Sequence, residues 1–220
     1  MHEVYGIISG ICWSLVYIEI IRLGFKYKTY GMPLFALALN FAWEFLYGFI
    51  VPNSHHSQKI INIVWFSLDS LIVITFFMHG FKLFAKGFKK WQFYSWGIFI
   101  FALGFIFQFI FHKQFSGDDH AGEGFSAFLQ NLIMSALFIG MLFQRANTKG
   151  QSLSIAILKC IGTLAATLMV STKLEPRASF ELPNWDWFLI VLGAFCFLFD
   201  AMYIILLAKR QKEERLALKN

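Results

Sequence analysis

Seven times along this chain about twenty consecutive residues pass with almost no formal charge, the length an α-helix needs to cross the hydrocarbon core of a bilayer. The runs cover roughly 4–22, 31–51, 60–79, 92–111, 125–143, 152–172 and 187–208. Lipid offers no hydrogen-bonding partner to free backbone groups, so uninterrupted runs of this kind are helices. Too little of the 220 residues lies between them to form a soluble domain. The sequence therefore predicts one all-α domain over 1–220, a seven-transmembrane-helix bundle. The protein is then integral and multi-pass, in the cytoplasmic membrane if its source is bacterial, with membrane lipid as its constant partner. Only 15% of the residues are charged, against about a quarter in ordinary globular domains. The first run lacks a basic leader and a small-residue cleavage site, so it reads as a helix rather than a signal peptide.

Charge fixes the expected orientation. Fourteen Lys and Arg residues fall in the segments 22–30, 80–91, 144–151 and the tail from Lys209 onward. The opposite side carries four: Lys59, Lys113, Lys173 and Arg177. Basic loops stay cytoplasmic, which puts the N-terminus outside and the C-terminus in the cytoplasm. This asymmetry accounts for the net charge of +6, and no nucleic-acid partner is implied. Trp91, Trp96, Trp185 and Trp187 lie near predicted boundaries, where aromatic belts form.

Three carboxyl groups sit in the middle third of the apolar runs: Glu44, Asp69 and Asp200. Each comes with aromatic or polar company at helical spacing. Asn40, Trp43, Glu44 and Tyr47 form one stripe on the second helix, Trp65 accompanies Asp69 on the third, and Tyr203 accompanies Asp200 on the seventh. Trp13 and Tyr17 pair in the same way on the first. Interhelical hydrogen bonding would explain one such acid. Three at similar depth point to a shared pocket, because an intramembrane acid is expensive and usually functional. A dry site favours the neutral acid over the carboxylate, and a carboxyl that keeps its proton can deliver it. Delivered to an alkene or an epoxide, that proton makes a carbocation, which aromatic faces stabilise. Glu44, Asp69 and Asp200 are thus candidate catalytic acids. Asn40, Trp43, Tyr47, Trp65, Tyr203, Trp13 and Tyr17 are candidate substrate-binding residues.

Other polar residues invite plainer readings. Lys159 lies near the cytoplasmic end of the sixth run, where a lysine can snorkel to the interface. Asp118, Asp119, His120 and Glu123 make an acidic loop with no ligand register. His55 and His56 are adjacent and cannot face one site together, and His79 and His112 sit at run ends. The cysteines, Cys12, Cys160 and Cys196, form no metal or redox motif. No metal or cofactor is expected.

The blocks "GICWSLVYIEIIRLGFKYKTYGMPLFALALNFAWEFLYG" (10–48), "WFSLDSLIV" (65–73), "LKCIGTLAATL" (158–168) and "FLFDAMYI" (197–204) carry a family likeness. They resemble the small integral-membrane terpene cyclases of fungal meroterpenoid and indole-diterpene pathways, which have bacterial relatives. The "YGMPL" segment followed by N-x-x-W-E-F is the specific part. The resemblance implies a seven-helix enzyme, isomerase- or lyase-like, that cyclises a lipophilic prenylated substrate by protonation and without metal. It implies essential acids at Glu44 and Asp200, and Asp69 matches a further acidic position. The DDxxD and DxDD motifs of other terpene enzymes are missing, "DDHAG" included.

A proton-coupled transporter is the competing reading, since carriers also use midplane carboxylates. The runs contain few Gly or Pro interruptions to hinge on, and Pro33 opens a helix. A retinal protein is disfavoured, because 187–208 contains no lysine.

Overall fold

In the computed structural model of the protein, residues 2–51, 56–84, 87–115, 121–172 and 185–218 are described. His55, Asp118, Asp119, His120 and most of the 173–186 loop lie outside them, and with them the plain readings of the acidic loop and of the His55–His56 pair. Helices make up the fold, with no strand among the described residues. They are α1 (His2–Tyr27), α2 (Leu34–Phe45), α3 (His56–His79), α4 (Lys90–Phe115), α5 (Ala121–Gln144), α6 (Leu153–Ser171) and α7 (Trp185–Ala217). A π-helical turn, Leu46–Ile50, extends α2, and a 3-10 turn, Gly80–Leu83, extends α3.

Six of these helices are long and apolar enough to cross a membrane. The seventh expected run is shorter: α2 has 12 residues and its π turn five. It begins behind Pro33, whose ring presets the backbone and lacks an N–H to satisfy. Eight of the 12 residues of α2 are buried. A helix that is apolar all round is one with neighbours on every side, so the hydropathy of α2 reflects protein contact. α7 outruns its expected end at 208 because Lys, Arg, Gln, Glu, Leu and Ala in 209–217 are all good helix formers. Arg210 and Glu214 pair at i, i+4 there, 3.6 Å apart. Trp91 and Trp96 are well exposed, as belt residues would be.

The chain divides into two compact units. One comprises residues 17–130 with 149–151. Here α2 packs most extensively on α4 and then on α3. A Cβ at Gly104 would lie 2.7 Å from the Ala38 carbonyl oxygen, so only glycine lets α4 come this close to α2. Phenylalanines fill the rest of the seam: Phe41 stacks on Phe66 at 4.5 Å and meets Phe101 edge-on at 5.7 Å. Lipid supplies no hydrophobic drive between helices, so contact packing of this kind holds them.

The other unit comprises residues 1–16, 131–148 and 152–220. Its largest interface is α6 on α7, where Gly193 leaves room for Thr167. Gly162 of α6 receives the Trp13 indole, which a Cβ there would approach to 3.0 Å. Ser152 caps α6 by accepting from the Ile155 amide at 3.2 Å. Glu214 ties down the preceding loop by accepting from the Thr148 amide and hydroxyl at 2.9 and 2.7 Å.

Candidate active site

Asn40 and Glu44, one turn apart on α2, face Tyr17 of α1 and Asp69 of α3. The Tyr17 hydroxyl donates to Glu44 Oε1 at 2.8 Å. The Asn40 amide nitrogen lies 2.6 Å from the Tyr17 oxygen, 2.8 Å from Glu44 Oε1 and 2.9 Å from Asp69 Oδ2. Its two hydrogens serve three acceptors, so one hydrogen is shared. Glu44 and Asp69 are both fully buried. Their donors, Tyr17 and Asn40, are neutral, the two carboxyls lie within hydrogen-bonding reach of each other, and Glu44 Oε2 and Asp69 Oδ1 accept from no donor among the described residues.

Behind Asn40 stand two glutamines that the sequence reading passed over. Gln108 of α4 donates to the Leu39 carbonyl at 3.2 Å and to Gln130 Oε1 at 2.7 Å. Gln130 of α5 donates in turn to Asn40 Oδ1 at 3.3 Å. Both are buried. A polar amide deep inside an apolar run was the available signal, the one that singled out Asn40.

The expected aromatics of this unit gather beside the acids. The rings of Trp43 and Tyr47 lie 5.2 Å apart, and Trp65 packs against their cluster. Trp65 also meets Tyr17 edge-on at 6.1 Å. Trp43 donates to the Glu123 carbonyl at 3.2 Å, and the Tyr47 hydroxyl lies 3.3 Å from His112 Nδ1. His112, expected as an interfacial residue, therefore has a specific partner. Tyr47 sits in the π turn, a widening of the helix frequent at functional sites.

Asp200 belongs to the other unit and to a different environment. Lys159 of α6 reaches it with Nζ 2.7 and 2.9 Å from its two oxygens, and donates to Ser135 at 2.6 Å. The lysine is completely buried, which overturns its reading as a snorkelling side chain. The reason is a carboxylate within reach, for a buried charge persists only when paired. Trp13 stacks its ring 5.7 Å from the same ammonium, a cation–π contact. Tyr203 is buried against Phe138, with ring centroids 5.5 Å apart. Of the three intramembrane acids, then, Glu44 and Asp69 share a donor, while Asp200 is one half of an ion pair. Among the described residues no group of three or more His, Cys, Asp and Glu side chains has the arrangement of a metal site, and the three cysteines are buried free thiols.

Helices of membrane-crossing length around buried carboxyls define the class, a helical integral membrane protein with ionisable groups in its apolar interior. The chain belongs to the Pyr4-like transmembrane terpene cyclases, whose family profile matches residues 1–213. It is similar to the Pyr4-family terpene cyclase mfmH of Annulohypoxylon moriforme, 34% identical over 164 residues that make up 74% of this chain and 67% of that one. It is also similar to the terpene cyclase pyr4 of Aspergillus fumigatus, 23% identical across 94% of this chain and 85% of that one. The asnovolin H synthase nvfL of Aspergillus novofumigatus is 27% identical across 87% of this chain and 82% of its own. These relatives are fungal. The chain is thus a membrane terpene cyclase, and the transporter reading falls away.

Proposed function

We propose that this cyclase starts its reaction by protonating a lipophilic, prenylated substrate from Glu44, without metal or cofactor. The observation that carries this reading is the unequal treatment of the two Glu44 oxygens. Oε1 accepts from Tyr17 and Asn40, while Oε2 accepts from no donor among the described residues. A neutral carboxyl would be hydrogen-bonded in this way at its carbonyl oxygen, leaving the hydroxyl on Oε2 to donate. Asp69 on the same nitrogen adds a second reason for one proton to stay, because two adjacent carboxylates repel.

The proton passes from Oε2 to an alkene carbon or an epoxide oxygen. In the first case the alkene π electrons form the new C–H bond. In the second a C–O bond of the epoxide breaks. The next alkene attacks the cationic carbon and closes a ring, and a proton finally leaves, so product and substrate are isomers. Trp43, Tyr47 and Trp65 offer ring faces to the cation from the Glu44 unit. Asp200, paired with Lys159, is the second essential carboxyl, suited to accept a proton or balance positive charge rather than to donate. Tyr203 and Trp13 line its surroundings. We read Leu34–Ile50 as the seventh span of a bundle with its N-terminus outside and its C-terminus cytoplasmic.

The test is Glu44→Gln in purified enzyme with a prenylated alkene or epoxide as substrate. The amide keeps the shape and the bonds to Oε1 but has no proton to give. Turnover falls by about 10²–10⁴-fold, as expected for a positioned acid, with folding unchanged. Turnover near the parental rate would place the acid elsewhere.

A further inference from the structure

We infer that Gln108 and Gln130, which hydrogen-bond to Leu39, Asn40 and each other, are positioning residues that decide which end of the Asn40 side chain faces Glu44 and Asp69. The inference rests on the reading of Glu44 as the acid. An amide side chain is nearly symmetric in shape, and its two ends are told apart only by their hydrogen bonds. Here the choice propagates in one direction from a group that has no alternative. The Leu39 carbonyl can only accept, so the end of Gln108 that meets it is the NH2, at 3.2 Å. The second hydrogen of that NH2 goes to Gln130 at 2.7 Å, so Gln130 presents its oxygen there and its nitrogen at the far end. That nitrogen donates to Asn40 Oδ1 at 3.3 Å, which turns the Asn40 nitrogen toward Tyr17, Glu44 and Asp69.

The alternative is easily stated. Released from Gln130, Asn40 can rotate and bring its carbonyl oxygen against two carboxyl groups. Among the described residues, Glu44 Oε1 then loses one of its two donors and Asp69 Oδ2 its one donor. Bonds aligned head to tail also polarise one another, so the Asn40 N–H is a stronger donor for having the glutamines behind it. All three amides are buried, and bulk water does not compete for these bonds.

Methionine matches glutamine in length and cannot hydrogen-bond in its place, so Gln130→Met and Gln108→Met are the informative variants. In Gln130→Met, kcat falls about tenfold, the order of one hydrogen bond to an ionising group, while KM and the melting temperature stay near parental values. The infrared carboxyl bands that disappear in Glu44→Gln also shift in Gln130→Met, although the hydrogen bond lost is to Asn40 and not to an acid. Because Gln108 acts only through Gln130, the double variant is no slower than Gln130→Met alone. Should Gln130→Met fail to fold, Gln108→Met reads the same kcat loss and band shift one step further back. A parental kcat or unmoved bands in a folded methionine variant, beside an inactive Glu44→Gln, overturn the relay and leave the acid intact. An active Glu44→Gln overturns the acid itself.

Discussion

At the scale of single residues, the two buried centres treat their carboxyls in opposite ways, and each way has a measurable consequence. Tyr17→Phe removes one of the two donors to Glu44 Oε1 and, with the same hydroxyl, an acceptor of the Asn40 amide. Turnover should fall about tenfold, well short of the loss in Glu44→Gln. Side-by-side rates of the two variants check the ordering, and Glu19→Gln serves as control. Glu19 is bound to Arg22 at 2.6 Å in the C-terminal third of α1, so its amide should be nearly silent. Lys159→Met, by contrast, strands the Asp200 carboxylate without its cation. Breaking a buried pair in this way costs about 3–5 kcal/mol, while replacing both partners by apolar residues restores most of it. Unfolding of Lys159→Met and of Lys159→Met with Asp200→Leu, in the same detergent, should show loss and recovery. Both should remain inactive. The acids themselves were legible in the sequence, because a charge inside an apolar run stands out. The division between them was not. Nothing in spacing along one helix tells that Lys159 and Asp200, 41 positions apart, meet across two.

At the scale of elements, α2 organises its unit, and its near neighbour α4 does so through one glycine. Gly104 and Gln108 are one turn apart on α4, opposite Ala38 and Leu39 on α2. The close approach at Gly104 brings Gln108 within reach of the Leu39 carbonyl. Gly104→Val would drive a branched side chain into backbone atoms, an overpacking that costs about 1–3 kcal/mol. It should also lower kcat, since it pushes the amide chain away from its anchor. Thermal unfolding and kinetics on the same preparation check both effects. Helical periodicity was enough to find α2, α4 and the face that Asn40, Trp43 and Glu44 share. It did not separate α2, 12 residues with a five-residue π turn, from the longer helices, because burial in protein and burial in lipid select the same apolar side chains. The π turn at Leu46–Ile50 left no mark, since its residues are as apolar as those around them.

At the scale of the whole molecule, the membrane setting follows from hydropathy alone, and the family from sequence blocks that span nearly the entire chain. The expected topology puts both the acidic 118–123 loop and the N-terminus outside. A reporter fused after Asn220 should be active only on the cytoplasmic side, and outward activity would invert the arrangement. Since the sequence carries no DDxxD register for magnesium, turnover should be indifferent to EDTA. Chelator sensitivity reversed by magnesium would restore that loop to consideration.

The Lys159–Asp200 pair also bears on how such a protein can change. Loss of either partner alone leaves a lone charge in a dry interior, so most routes that alter one position first pass through a poorly folded intermediate. In a combinatorial library the two positions should therefore show strong sign epistasis for surface expression. Changes harmful singly would be tolerated together, and catalysis would be spared by neither. Descent with both intact is the easy path, and a paired replacement would mark a lineage that kept the scaffold after giving up this chemistry.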